Sequence, residues 1–147
     1  MTTPSLHIRL VTDDDLSAVI RIYQSAYQAP PYMSTWDDAT AERIIREFRR
    51  LFPNQCWVAV REGEIVGFIL CSSIAGMRAT VEEFCVAPRA QRQGVGDQLL
   101  AYALKHYHDE GFAFIELIAN RNAPAWGFYR RRGFEENAEY KLMSRRL

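Results

Sequence analysis

The chain has 147 residues, 48% of them hydrophobic, with 18 basic and 18 acidic side chains and a formal net charge of zero. That length suits one domain over residues 1–147, able to bury roughly 70% of its unfolded surface, and the balanced charge excludes a global basic field for nucleic acid. No apolar run approaches the roughly 20 residues of a membrane span, no signal-peptide pattern opens the chain, and three dispersed cysteines suit buried thiols in a reducing, cytoplasmic compartment.

In chain order, Leu6 to Val11 alternates as a first strand. Thr12-Asp-Asp-Asp-Leu16 then opens a helix, with Thr12 as cap and Asp15 at the third helical position. Leu16, Val19, Ile20, Tyr23 and Tyr27 make one apolar face. Gln28-Ala-Pro-Pro-Tyr-Met-Ser34 breaks that helix, and Thr35-Trp-Asp-Asp38 reads as a second capping box. Ala41, Ile44, Ile45, Phe48 and Leu51 line a second helix that Pro53 ends. Cys56 to Arg61 and Ile65 to Ile74 are strands joined by a Glu62-Gly63-Glu64 turn, and a Gly76-Met77 turn leads to the strand Thr80–Val86. The three strands run as an antiparallel meander.

The next stretch organises the rest. After Pro88 comes a glycine-bearing loop with a cation, Gln91-Arg-Gln-Gly-Val-Gly96, and then a helix reaching Gly111. A glycine loop that opens a helix presents unpaired N–H groups at the positive end of the helix dipole, where anions and above all phosphates bind. A dinucleotide fingerprint fits badly, because Leu99 stands where the third glycine would let helix and strand close up. A P-loop fails for want of Gly-Lys-Ser/Thr. Phe112 to Ala119 is the following strand, parallel to Thr80–Val86 by a right-handed crossover. Asn122 is expected to cap a short helix stopped by Gly133, and Phe134 to Leu147 to supply one or two last strands. His7, His106 and His108 make no ligand pattern with Cys56, Cys71 and Cys85, so no metal is expected.

The loop Gln91-x-x-Gly94-x-Gly96 resembles the pyrophosphate loop of the GNAT superfamily of N-acetyltransferases. Further on, Asn122-Ala-Pro-Ala-Trp-Gly-Phe-Tyr-Arg-Arg-Arg-Gly-Phe134 resembles that family's Asn-x-x-Ala-x-x-Phe-Tyr-x-x-x-Gly-Phe. The order β-α-α-β-β-β-α-β-α-β is the family's order as well. The resemblance implies an α/β (α+β) GNAT fold: a mixed, mostly antiparallel sheet of six or seven strands, helices on both faces, and a splayed parallel pair that holds acetyl-coenzyme A.

The resemblance also assigns roles. Gln91, Arg92, Gln93, Gly94, Val95 and Gly96 would take the pyrophosphate, with Asn122 and Arg131 nearby. The backbone of Phe84, Cys85 and Val86 would meet the pantetheine arm and polarise the thioester carbonyl. Tyr129 would reach the cofactor sulfur and protonate the leaving thiolate. Val81-Glu-Glu-Phe-Cys-Val86 is similar to the central strand of the polyamine and glucosamine-6-phosphate acetyltransferases, in which a glutamate serves as base. By position that role falls to Glu82, through water. Adjacent residues of a strand face opposite ways unless a bulge intervenes, which leaves Glu83 to bind a cationic acceptor or sit in an ion pair. Glu116 is a third candidate. Tyr27, Tyr32 and Trp36, between the first two helices, would line the acceptor pocket by cation–π contact.

The expected reaction is acetyl transfer from acetyl-coenzyme A to a primary amine of a small molecule. A protein or peptide N-terminus as acceptor, and a non-catalytic acyl-coenzyme A sensor, stay open as alternatives. So does homodimerisation.

Overall fold

Arg9 and Asp15 tie the first strand to the first helix. The carboxylate of Asp15 accepts from Arg9 Nη1 at 2.6 Å, Arg9 Nη2 at 2.9 Å and the Thr12 amide at 2.7 Å. These charge-assisted bonds let an acid sit only 5% exposed. In this computed structural model, which describes residues 4–28, 30, 32 and 37–147, β1 is Leu6–Leu10 and a 3-10 turn over Asp13–Asp15 feeds α1, Leu16–Tyr27. α2, Asp38–Leu51, starts at Asp37, whose side chain accepts from the Thr40 amide at 2.8 Å. Thr35 of the expected capping box lies outside the described residues. Ala41 and Ile45 of α2 are fully buried, together with Leu16, Val19 and Tyr23 of α1.

β2 (Cys56–Arg61), β3 (Glu64–Ile74) and β4 (Arg78–Val86) form the antiparallel meander. α3, Val95–Asp109, carries the chain across to β5, Phe114–Leu117, which pairs parallel to β4. α4, Pro124–Arg131, follows. Its N-cap is Ala123 rather than Asn122, since Pro124 already provides the first helical φ and the Asn122 amide turns back to Asn120 Oδ1 at 2.8 Å.

Among the described residues the sheet has five strands, ordered β1-β2-β3-β4-β5, not six or seven. The expected final strands over Phe134–Leu147 are absent there. Asn137 Oδ1 accepts from the amides of Glu139 at 3.0 Å and Tyr140 at 3.3 Å, a local turn that competes with strand pairing. Glu136 is drawn toward Arg121 and Lys141 instead of a neighbouring strand.

Helices cover both faces. Phe84 of β4 contacts Phe128 and Tyr129 of α4, whereas its neighbour Glu83 bonds Tyr27 of α1. α3 packs down closely because residue 67 of β3 is glycine. A Cβ there would lie 3.0 Å from Leu99 Cδ1 and 3.1 Å from the Cys85 carbonyl. Leu99, Leu100 and Ala103 are at most 1% exposed, and on the same face Trp57 of β2 meets Tyr102, His106 and Tyr107 of α3. Cys56, Cys71 and Cys85 are buried free thiols.

Candidate active site

Two departures from regular pairing make the site. β4 and β5 pair only from Arg78↔Phe114 to Val81↔Leu117, so β4 runs on from Glu82 to Val86 with its β5-side edge open. At the same place the β3–β4 register slips: Leu70 pairs with Glu83 and Cys71 with Val81, leaving Glu82 as an extra residue. A bulge of this kind bends the strand and re-aims side chains. Pairing of the parallel strands therefore ends where the central strand is bent, and the slot so left is the unpaired β5-side edge of Phe84, Cys85 and Val86.

The bulge separates the two glutamates. Glu82 is exposed and accepts from Ser72 Oγ at 2.5 Å. Glu83 is partly buried under α1, and its Oε2 accepts from the Tyr27 hydroxyl at 2.9 Å. Burial pushes the Glu83 carboxyl up to about 7. The bond from Tyr27 opposes that rise and the Glu82 charge adds to it. Glu116 is exposed on β5 and ion-paired with Arg78 at 3.2 Å.

Tyr27 belongs to a tyrosine cluster at the end of α1. Its ring centroid lies 4.7 Å from that of Tyr23 and 5.0 Å from that of Tyr32. Trp36, the other expected acceptor residue, lies outside the described residues. Cys85 shares this region with Glu83 and Tyr27. Burial drives its thiol pKa far up, so it stays protonated.

The Gln91–Gly96 loop sits at the mouth of the slot. Arg92 (φ 60°) and Gly94 (φ 80°) are left-handed, a conformation that turns successive amides toward one side. Among the loop and cap hydrogen bonds, none is donated by the amides of Arg92 through Gly96. Side chains brace the loop: Gln91 Nε2 donates to the Val86 carbonyl at 3.1 Å, Gln93 Nε2 to that of Arg89 at 3.1 Å, and Arg61 to Gln93 Oε1 at 2.7 Å. The space over Gly94 is open, since a Cβ there meets nothing within 4 Å. Val95 is buried and starts α3, and Gly96 gives room to the Phe128 ring, 3.4 Å from where its Cβ would stand. Open donors, clear space and the exposed cation of Arg92 fit a pyrophosphate at a helix N-terminus.

α4 closes the far side. Tyr129 is partly buried, with ring centroids of Phe84 at 6.2 Å, Phe128 at 5.4 Å and Phe134 at 5.5 Å. Among the described residues its hydroxyl has no hydrogen-bond partner. Burial raises its pKa well above the usual phenol range, with Cys85, Tyr32, Cys71 and Glu83 adding to the effect. It is a phenol that keeps its proton. Arg132 stacks on Phe128, 3.6 Å from the ring centroid, and pairs with Asp97 in the first turn of α3, so α4 and the start of α3 are held together. Asn122 and Arg131 are exposed. Beside β5 and α4 runs a groove of about 1370 Å³, lined by Thr80, Glu116, Trp126, Tyr129, Arg130 and Lys141 among others.

The structure thus brings Glu83, Tyr27, Tyr32, Cys85 and Tyr129 to one end of β4, and the glycine loop to the head of the slot. Glu82 and Glu116 are turned to solvent and to partners of their own. The sequence carries no signal for the link from Tyr27 to Glu83, which joins positions far apart in the chain. Nor does it carry one for Arg132.

A sheet whose parallel pair stops pairing beside a glycine-bearing helix N-terminus is the architecture of an α/β protein with room for an extended, phosphate-bearing ligand along the open strand edge. Comparison with known proteins gives the family. The model of the Acetyltransferase (GNAT) family matches residues 16–134, and the chain belongs to that family. An uncharacterized N-acetyltransferase of Methanocaldococcus jannaschii is 28% identical over 141 residues, covering 91% of this chain. The chain spans only 62% of that relative's length. The peptidyl-lysine N-acetyltransferase YiaC of Escherichia coli is 30% identical over 131 residues, 86% of this chain and 82% of the relative. Among solved structures, Ard1 from Thermoplasma volcanium superimposes with a TM-score of 0.77 at 27% identity, over 90% of this chain and 84% of that one.

Proposed function

We propose that the protein transfers the acetyl group of acetyl-coenzyme A to an aliphatic primary amine, by direct attack in a ternary complex, with Glu83 as the base and Tyr129 as the acid. The observation that carries the reading is the Glu83 carboxyl. It lies at the bulge where β4 and β5 part, is paired through Tyr27, and is held near pKa 7 by burial. A general base is most effective when its pKa lies near the working pH, and such values cluster at functional sites. Glu82 is the base expected from the sequence. Its exposure and its bond to Ser72 favour a role outside the reaction.

Acetyl-coenzyme A supplies a thioester: the amine nitrogen forms an amide with its carbonyl carbon, and the C–S bond breaks to give the free thiol. The chain's own groups do the rest. The amides of Arg92 through Gly96 bind the pyrophosphate, with the Arg92 cation beside them. The open edge of β4 at Phe84 to Val86 takes the pantetheine arm and offers an N–H to the carbonyl oxygen. Glu83, as carboxylate, receives the proton of the acceptor ammonium through water. Tyr129 gives its proton to the departing sulfur and recovers one from the nitrogen, which sheds its second proton as the amide forms. The protonated state of Cys85 favours direct transfer over an acetyl-cysteine route.

The acceptor is taken to be a small amine, because the Glu83 carboxylate and the Tyr27 and Tyr32 rings suit an ammonium group. The identity to a peptidyl-lysine enzyme favours a second reading, a protein lysine, whose ε-ammonium presents the same chemistry. An assay of free thiol release over polyamines, amino sugars, amino acids and lysine peptides separates the two. The mechanistic test is Glu83→Gln. Turnover should fall 100- to 10,000-fold, roughly, and the acidic limb of the pH profile should vanish, with acetyl-coenzyme A affinity unchanged. The same substitution removes a carboxyl with a raised pKa, whose ionisation weakens the fold as pH rises from about 4.5 through about 7. Glu83→Gln should therefore gain stability relative to wild type at pH 8 compared with pH 5. An acidic limb that survives in Glu83→Gln refutes the assignment.

A further inference from the structure

We infer that Tyr27 is a positioning residue for Glu83: its hydroxyl fixes the carboxylate in one orientation at the β4 bulge and sets the pH at which that carboxylate becomes a base. The inference rests on the reading of Glu83 given above and goes beyond it, because the sequence points to Tyr27 only as a wall of the acceptor pocket.

The geometry is specific. The Tyr27 hydroxyl donates to Glu83 Oε2 at 2.9 Å from the last turn of α1. Among the described residues no other group hydrogen-bonds the carboxylate, so Oε1 is the oxygen left to face an acceptor. The Tyr27 ring is itself packed against two others, with the Tyr23 centroid 4.7 Å away and the Tyr32 centroid 5.0 Å away. The donor therefore has little freedom, and a fixed donor holds a carboxylate more firmly than a surface side chain does. Among the described residues the titratable groups facing Glu83 are Tyr23 and Tyr27 from α1, Glu82 and Cys85 from β4, and Tyr129 from α4. None of these is a cation. The stabilisation of the charged carboxylate therefore comes from the Tyr27 hydroxyl, whose own proton is held far above the working range by burial.

A bond to the charged form favours that form. Without it, burial and the Glu82 charge act unopposed, and the carboxyl takes up its proton at higher pH. A hydrogen bond to a charged group corresponds to about one pH unit or somewhat more. Tyr27→Phe keeps the ring against Tyr23 and Tyr32 and removes only the oxygen. In that variant the acidic limb of kcat/KM for the amine should rise from near pH 7 by about one pH unit. At pH 6 the rate should then fall about tenfold, while acetyl-coenzyme A affinity holds. A carboxyl 13C titration of Glu83 should move with the limb, a change that lost packing alone would not produce. Glu83→Asp breaks the same contact from the other side while keeping the charge, and its limb should rise too, even if Tyr27→Phe melts too early to assay. If Glu83→Gln abolishes the limb but Tyr27→Phe leaves limb and carboxyl titration where they are, the positioning role is overturned and the Glu83 reading stands. If Glu83→Gln keeps the limb, the Glu83 reading falls first and this inference with it.

Discussion

Gly94→Ala puts the phosphate loop to a quantitative test. Gly94 sits at φ 80°, as the N-cap of α3. A Cβ built there meets no atom of the protein within 4 Å, so the substitution creates no internal clash. Its cost to the free protein is conformational: a left-handed alanine costs roughly 1–2 kcal/mol, partly offset by about 0.4–1 kcal/mol of lost freedom in the unfolded chain. A net loss near 1 kcal/mol lowers Tm by about 2–4 °C for a chain of this length. The ligand should feel more. On the proposed reading the pyrophosphate approaches through that open space, and displacing it from one amide removes a charge-assisted hydrogen bond of about 1.5–3 kcal/mol. That corresponds to roughly a tenfold to hundredfold rise in Kd. Thermal melting without ligand gives the first number, and calorimetric titration with acetyl-coenzyme A gives the second. A variant whose Tm drops by the expected few degrees, yet binds acetyl-coenzyme A as wild type does, refutes the assignment of the loop.

Two further outcomes follow from named contacts. Tyr129→Phe keeps the packing against Phe84, Phe128 and Phe134 and removes only a hydroxyl without a partner among the described residues. Its Tm should hold while turnover falls 100-fold or more, roughly, and full turnover across the pH range would make the residue structural. Asp15, held down to about 2 mainly by its bonds from Arg9, contributes about 2 kcal/mol that is present above its unfolded value near 4 and lost as pH falls through about 2. Asp15→Asn should therefore lower Tm at pH 7 and flatten the acid side of the stability curve below pH 4, and equal Tm values at pH 7 would count against the Arg9–Asp15 tie.

The sequence by itself determined most element types and the glycine loop that opens α3, because both depend on local chemistry. Gly94 and Gly111 read as helix boundaries and take φ of 80° and 84°. The strand expected over Cys56–Arg61 has those same ends in the fold, and its continuous apolar run is that of a strand covered on both faces, with Cys56 to Ala59 all buried. Local chemistry misleads where another group competes for the same backbone. Asn122 has the side chain of a helix cap, but the neighbouring Asn120 side chain takes its amide. Phe134–Leu147 has the composition of a strand, but pairing needs a partner edge, and the Asn137 turn and the ion pairs of Glu136 occupy that segment.

Tertiary structure alone decided which glutamate is buried against α1. Strand periodicity assigns Glu82 and Glu83 to opposite faces but cannot foresee an extra residue in one strand of a pair. The slip between Leu70↔Glu83 and Cys71↔Val81 is a property of two strands together. The same holds for the Tyr27–Glu83 bond, which joins α1 and β4 across a long stretch of chain and exists only where the two pack together. A side chain's local preference is written in its neighbours along the chain. Its ionisation is written in what surrounds it in space, and for Glu83 that surrounding is built by burial beneath α1 and by the hydroxyl of Tyr27.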